Sequence, residues 1–247
     1  MARGSNTALV VRVADGESQK LCKEDIPIPC PTANQVLVKI SHVAQNPTDV
    51  QSFDRNAFGD GAVLGCDFVG EVVELGSHVT RFARGDLVAG LIWGGLRYQL
   101  AGLGRQLPRH ADLVRSYGAK HVFDYNDQGP HLVQHRLARP HGGVGNLCTV
   151  RPGKANTKGV AAGTHVTNVL VWTAFLKDHS YGEFKWPASK DDHELASELF
   201  ENLPSWLEEG TIRPNSAKLR LGLDAVSEGF QEYRDGKISA YKLVYEL

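Results

Sequence analysis

Apolar positions along the first ninety residues recur at short, strand-like intervals. Ala8 to Val13 forms a compact apolar run, and Gln35 to Ser41 (QVLVKIS) alternates as a half-buried strand does. Phe68 to Leu75 (FVGEVVEL) is rich in β-branched residues and stops at the turn signal Gly76-Ser77, while Asp86 to Ile92 (DLVAGLI) supplies a further strand. Pro27, Pro29 and Pro31 mark an irregular connection. Short strands punctuated by glycine turns predict a small, closed, barrel-like sheet.

The texture changes after Gly95. Leu96 to Leu103 suits one or two helical turns, and Arg109 to Tyr117 (RHADLVRSY) aligns Ala111, Val114 and Tyr117 on one helical face before the stop at Gly118. His121 to Tyr125 is a short strand, Leu132 to Leu137 a helix broken by Gly142-Gly143, and Asn146 to Val150 and Val166 to Trp172 are strands. Helix and strand in alternation predict an α/β layer with a parallel sheet. Asp191 to Glu209 is an amphipathic helix with Leu195, Leu199, Leu203 and Leu207 at four-residue spacing, and Gly210 ends it. Leu223 to Arg234 is a second helix, with Val226, Phe230 and Tyr233 aligned, and Lys242 to Leu247 is a closing strand.

Composition narrows the partners. The 247 residues suit two modest domains or one large one; 42% are hydrophobic and 22% charged, with a formal net charge of -1. That balance gives no electrostatic reason to expect nucleic acid or an anionic membrane as partner. No stretch approaches the ~20 apolar residues of a membrane span. Met1 to Thr7 is polar, which fits a cytoplasmic protein. Cys22, Cys30, Cys66 and Cys148 form no CxxC pair and are expected as free, buried thiols. His131, His135 and His141 have no cysteine or carboxylate at ligand spacing, and no GxSxG elbow is present. Trp172, Trp186 and Trp206 are read as packing aromatics.

A set of motifs in fixed order carries a resemblance. Gln35 to Ile40, then Asn46-Pro47-Thr48-Asp49, then Leu64-Gly65-Cys66-Asp67-Phe68-Val69-Gly70-Glu71-Val72-Val73, Gly76, Phe82 and Gly85-Asp86-Leu87-Val88 resemble the GroES-like domain of medium-chain dehydrogenases/reductases. Within that family the chain is most similar to quinone-reductase-like and fungal trans-acting enoyl reductases, some of them labelled zinc-binding alcohol dehydrogenase domain proteins. Gly229-Phe230-Gln231, Gly236-Lys237-Ile238-Ser239 and the closing KLVYEL extend the similarity. The resemblance implies a GroES-like β-barrel domain over 1–90, completed by 185–247, and a Rossmann-like parallel α/β domain over 91–184.

The resemblance also implies a chemistry. Zinc-dependent members place a cysteine where Asn46 stands and a histidine where Cys66 stands. An asparagine amide is a poor zinc ligand, so no metal is expected. The implied reaction is hydride transfer from NADPH to an activated C=C of an enoyl or quinone-type substrate. Asn46, Pro47, Thr48 and Asp49 would line the nicotinamide end, and Ile238-Ser239 would reach back toward it. Pro108-Arg109-His110 resembles the pair that meets the ribose 2′-phosphate, for which a planar guanidinium is suited. Tyr117 matches a cofactor-contacting tyrosine. A polyketide synthase is the implied partner, and the chain would act as a monomer or homodimer.

The departures are equally specific. No GxGxxG turn is present; Gly94 and Gly95 resemble its start, but Leu96-Arg97-Tyr98 follows instead of small residues. Between Gly95 and Asn146 there is room for fewer than two βαβ units of about 30 residues. The Rossmann-like half is therefore expected to be truncated. Two functions stay open: a zinc-independent oxidoreductase, or a non-catalytic descendant with weakened cofactor binding that holds an apolar ligand or assists another enzyme.

Overall fold

A computed structural model describes residues 4–92, 146–149, 163–168, 171–181 and 184–247. The chain divides into two compact units, one of Met1–Leu103 with Pro214–Leu247 and one of Gly104–Arg213. Its fold is that of a GroES-like domain accompanied by a truncated Rossmann-like α/β domain.

The first unit is built on a five-stranded mixed sheet. Its strands are β3 (Val36–Ala44), β4 (Asp67–Leu75), β5 (Leu87–Leu91), β10 (Ser216–Leu221) and β11 (Tyr241–Glu246), in the order β10-β11-β3-β4-β5. Only β10 and β11 run parallel; the other neighbours are antiparallel. A parallel pair needs a crossover. Here a short 3-10 turn, Leu223–Ala225, and helix α3 (Val226–Arg234) provide it.

A hairpin of β1 (Ser5–Arg12) and β2 (Lys20–Pro27) is a separate ladder, tied to the loop before β4 through the bridge Val10↔Val63. Arg12 reinforces that tie by reaching Glu24 at 2.6 Å and Asp60 at 3.0 Å. Where the sequence predicts one small closed sheet, the described residues form an open five-stranded sheet and a separate two-stranded ribbon.

The core of this unit is small and sharply defined. Val50, Val72, Leu243 and Tyr245 are essentially inaccessible, with Ala8, Val10, Val11 and Phe230 close behind. β11 shows the logic: Leu243 and Tyr245 face inward, and Lys242, Val244 and Glu246 take the other face. Burying a side chain such as Leu243 contributes about 2 kcal/mol.

Helix α1 (Pro47–Asp54) packs on α3 through Phe53 and Phe230, whose rings meet edge to face at 5.7 Å. Gln51 also donates to the Tyr233 hydroxyl at 2.6 Å, and Arg234 pairs with Asp54 at 2.6 Å.

In the second unit β6 (Asn146–Thr149) and β7 (His165–Asn168) form a parallel pair, and β8 (His179–Tyr181) and β9 (Phe184–Trp186) a hairpin. The strand expected over Val166 to Trp172 is described as His165–Asn168, and Val171–Phe175, which takes in its expected end, is a 3-10 turn. That turn is tied to helix α2 (Lys190–Glu208). The Thr173 hydroxyl donates to Asp192, Ser189 N–H donates to the Thr173 carbonyl, and the His193 ring bonds the Ala174 carbonyl at 2.8 Å. Ser189 caps α2, its hydroxyl accepting from Asp192 N–H at 3.1 Å.

Trp172 and Trp186 flank the buried His179 ring, at 6.3 and 5.5 Å. Burial in that aromatic setting pushes the His179 pKa below its ordinary value. None of the four cysteines is fully buried, contrary to expectation. Cys22 lies on the half-open ribbon, and Cys30 follows the proline-rich exit from β2.

Candidate functional site

Asn46 leaves β3 in an extended conformation and serves as the N-cap of α1, with Pro47 at the first helical position. Asp49, three residues on, accepts the Asn46 backbone N–H at 2.7 Å, which is the reciprocal arm of a capping box. Asp49 is 7% exposed and also accepts from the Gly65 N–H. Gly65 sits at φ 112°, a left-handed geometry that favours glycine, and turns the chain into β4. The carboxylate of Asp49 therefore fastens the start of α1 to the start of β4.

Burial dominates the Asp49 titration. Desolvation and the nearby Asp67 charge push its pKa up to about 6, against the pull of the Asn46 and Gly65 amides and of Lys242.

The Asn46 side chain is committed at both ends. Its Nδ2 donates to Asp67 Oδ2 at 2.8 Å, and its Oδ1 accepts from Lys242 Nζ at 2.5 Å. Lys242 also reaches Asp67 Oδ2 at 3.2 Å. Strand register explains the meeting. Ala44 lies opposite both Val244 of β11 and Asp67 of β4, so two residues along, Asn46 emerges opposite Lys242. Lys242 projects from the face of β11 opposite the core.

The donor set does not suit zinc. Among the described residues no three histidine, cysteine or carboxylate side chains assemble to hold a metal. The lone pairs that Asn46 and Asp67 would offer already face an ammonium. Cys66 is half-buried between Gly65 and Asp67.

The structure groups Asn46, Pro47, Thr48 and Asp49 in one turn. Pro47 is exposed, Thr48 part-exposed and Asp49 buried. Ile238 and Ser239, both part-exposed, lead from α3 into β11 and so toward Lys242. Gly94, Gly95, Pro108, Arg109, His110 and Tyr117 lie outside the described residues. Asp67 and Lys242 were not among the residues singled out from sequence. Asp67 stands beside Cys66 and counts with it only as an incomplete zinc site, and Lys242 opens the KLVYEL strand, where it reads as the polar member of an alternating pattern.

Residues 32–105 match the alcohol dehydrogenase GroES-like domain. The chain is 40% identical over 116 residues to the trans-enoyl reductase thnE of Trichoderma harzianum, a match covering 41% of this chain and only 31% of that protein. It is 23% identical over 350 positions to the trans-enoyl reductase ACTTS2 of Alternaria alternata, covering 97% of this chain and 98% of that protein. Those positions outnumber the residues of this chain, which is therefore the shorter of the two within the matched span. The fold is similar to that of an alcohol dehydrogenase superfamily protein from Novosphingobium aromaticivorans, with a TM-score of 0.67, 17% identity and coverage of 98% and 99% of the two chains.

Proposed function

We propose that this chain, which matches the alcohol dehydrogenase GroES-like domain over residues 32–105 and is enoyl-reductase-like in its relatives, is an NADPH-dependent, zinc-independent reductase of an activated C=C. The substrate class is an enoyl thioester or a quinone-type acceptor. A polyketide synthase is the proposed partner for the thioester case, on the strength of relatives named as trans-enoyl reductases. That step is analogy.

The observation that carries the reading is the Asn46–Asp67–Lys242 cluster. By the resemblance Asn46 stands where zinc-dependent relatives carry a cysteine ligand, and its side chain is taken up by Asp67 and Lys242, which supports a hydride transfer that does without zinc. When bound, the nicotinamide supplies the hydride. The chain's own part is to hold the first turn of α1 still: Asp49 locks the cap, and Pro47 and Thr48 stay accessible beside it. Arg109 is proposed to meet the 2′-phosphate, and Tyr117 with Gly94 and Gly95 to contact the rest of the cofactor.

The test is a titration of the full chain with NADPH and with NADH, followed by nicotinamide fluorescence. Saturable binding is expected, with Arg109→Ala weakening NADPH more than NADH. Loss of one charge-assisted phosphate contact corresponds to about 1.5–3 kcal/mol, or roughly ten- to a hundredfold in Kd. An absence of binding at millimolar cofactor would refute the reading and favour the non-catalytic alternative, which the missing glycine-rich turn supports.

A further inference from the structure

The cluster at the start of α1 holds a charged group to which the hydride-transfer reading gives no part beyond keeping a metal out. We propose that the Lys242 ammonium is the electrophile of this site, taking the carbonyl oxygen of the activated alkene where zinc-dependent relatives hold their metal. The inference rests on the reductase reading and names the group that would polarise its substrate.

An ammonium carries three N–H donors. Two are engaged, one by Asn46 Oδ1 and one by Asp67 Oδ2. These acceptors come from separate elements, the cap of α1 and the first residue of β4, so the ammonium is aimed by two fixed points and does not swing on its stem. The Lys242 side chain keeps 28% of its surface accessible and Asp67 33%. The third donor is therefore open to an oxygen arriving from outside.

Charge decides which oxygen. The positive charge of Lys242 is matched by Asp67 beside it, and the buried Asp49 carboxyl lies behind the pair. A permanent anion gains little from a cluster in which Asp67 already balances the one cation and Asp49 adds a second carboxyl. A neutral carbonyl that acquires charge only as it reacts gains more, because the fixed donor is strengthened at the moment charge develops.

The step balances without a metal. A C–H bond forms at the β-carbon with the hydride; the C=C pair moves to join the α-carbon to the carbonyl carbon, and the carbonyl pair moves onto oxygen. The alkene is reduced and the nicotinamide donor is oxidised. The α-carbon then takes a proton from water, and Lys242 keeps its own protons throughout as the hydrogen-bonding partner of the enolate oxygen.

The test uses the full chain and 2-cyclohexen-1-one labelled with carbon-13 at the carbonyl, followed by isotope-edited infrared spectroscopy. The bound carbonyl band is expected at lower frequency than in buffer. The shift should vanish in Lys242→Met and persist in Lys242→Arg, which keeps the charge and guards against a simple folding defect. With NADPH present, Lys242→Met should lower kcat by on the order of a hundredfold, the usual effect of losing one oxyanion donor, while NADPH binding is unchanged.

An identical carbonyl band in wild type and Lys242→Met, an unshifted band, or no bound probe at all would overturn the proposal. The two readings fail separately. A Lys242-dependent band shift in a protein that binds no NADPH would remove the reductase and leave the carbonyl site. Full turnover by Lys242→Met would remove the electrophile and leave the reductase.

Discussion

Replacing Gly229 by alanine should unseat helix α3 from the sheet. A Cβ at this position would lie 1.8 Å from the Tyr245 hydroxyl, 2.7 Å from Gln45 Oε1 and 3.1 Å from Tyr245 Cζ. These are not yielding neighbours. Tyr245 is 2% exposed, its hydroxyl donates to Gln45 Oε1 at 2.5 Å, and Gln45 Nε2 donates back to the Gly229 carbonyl at 3.0 Å. The helix must rise, or Tyr245 must leave Gln45.

In isolation alanine would favour the helix by up to about 1 kcal/mol. Overpacking of a tight interior costs about 1–3 kcal/mol, and a buried acceptor left unpaired costs about 1–3 kcal/mol more. The net expectation is a loss of about 1–5 kcal/mol. Urea unfolding followed by far-ultraviolet circular dichroism measures it as a lower midpoint at constant slope. Tryptophan fluorescence is the less selective probe, because three of the four tryptophans, Trp172, Trp186 and Trp206, belong to the other unit and Trp93 alone to this one.

Tyr245→Phe sharpens the test by removing the atom that clashes first. Alone it should destabilise, by stranding Gln45; in the Gly229→Ala background it should cost less or restore stability. A Gly229→Ala protein as stable as wild type, or additive effects in the double variant, would show that α3 has slack at this contact and would refute the reasoning.

Two further expectations concern stability. The folded Asp49 pKa of about 6 lies above the ordinary aspartate value of about 3.9, so the fold prefers the protonated acid. Its contribution is fully present below pH 3.9 and lost as pH rises through 6, by about 3 kcal/mol. Asp49→Asn should therefore gain on wild type by about that amount between pH 4 and pH 7 in parallel urea titrations, and a pH-independent difference would contradict the burial account. Ser189→Ala removes the hydroxyl that caps α2 and should lower the stability of the second unit by about 1 kcal/mol, read as an earlier midpoint in tryptophan fluorescence.

The elements visible in the sequence were those whose apolar side chains recur at a regular period, whether or not that face is buried: Leu195, Leu199 and Leu207 of the helix Lys190–Glu208 stay exposed. Asp67–Leu75 and Tyr241–Glu246 bury alternate residues, Val36–Ala44 carries the same apolar–polar alternation at half-buried positions, and Lys190–Glu208 and Val226–Arg234 repeat at helical spacing, so each lies within a residue or a few of its expected place. The missed strands invert that pattern. In β10 (SAKLRL) the leucines face out, Leu219 at 58% and Leu221 at 77% exposed, while Lys218 and Arg220 turn toward Glu232 of α3 at 2.5 and 3.2 Å. In β2 (KLCKEDIP) the half-buried Glu24 is satisfied by Arg12 across the hairpin instead of by apolar contact. Periodicity of hydrophobicity cannot register a face held by ion pairs, because the partner that makes burial tolerable sits far off in sequence.

The site divides along the same line. Asn46 to Asp49 carried a local signal, an N-cap, a proline at the first helical position and an acid three residues later, although the motif was read for cofactor contact and not as the helix it begins. Asp67 was visible only as a motif carboxylate beside Cys66 and Lys242 not at all, because what brings them together is register: β11 against β3, and β3 against β4, with Ala44 as the shared reference. Nothing near Lys242 in sequence says that its neighbour will be Asn46, nearly two hundred positions away. Once strand order is known, the meeting follows from counting two residues along each strand. The same counting gives a check independent of chemistry. A shift of β11 by one residue would turn Lys242 into the core and Leu243 out of it, so the ion pair and the burial of Leu243 and Tyr245 stand or fall together.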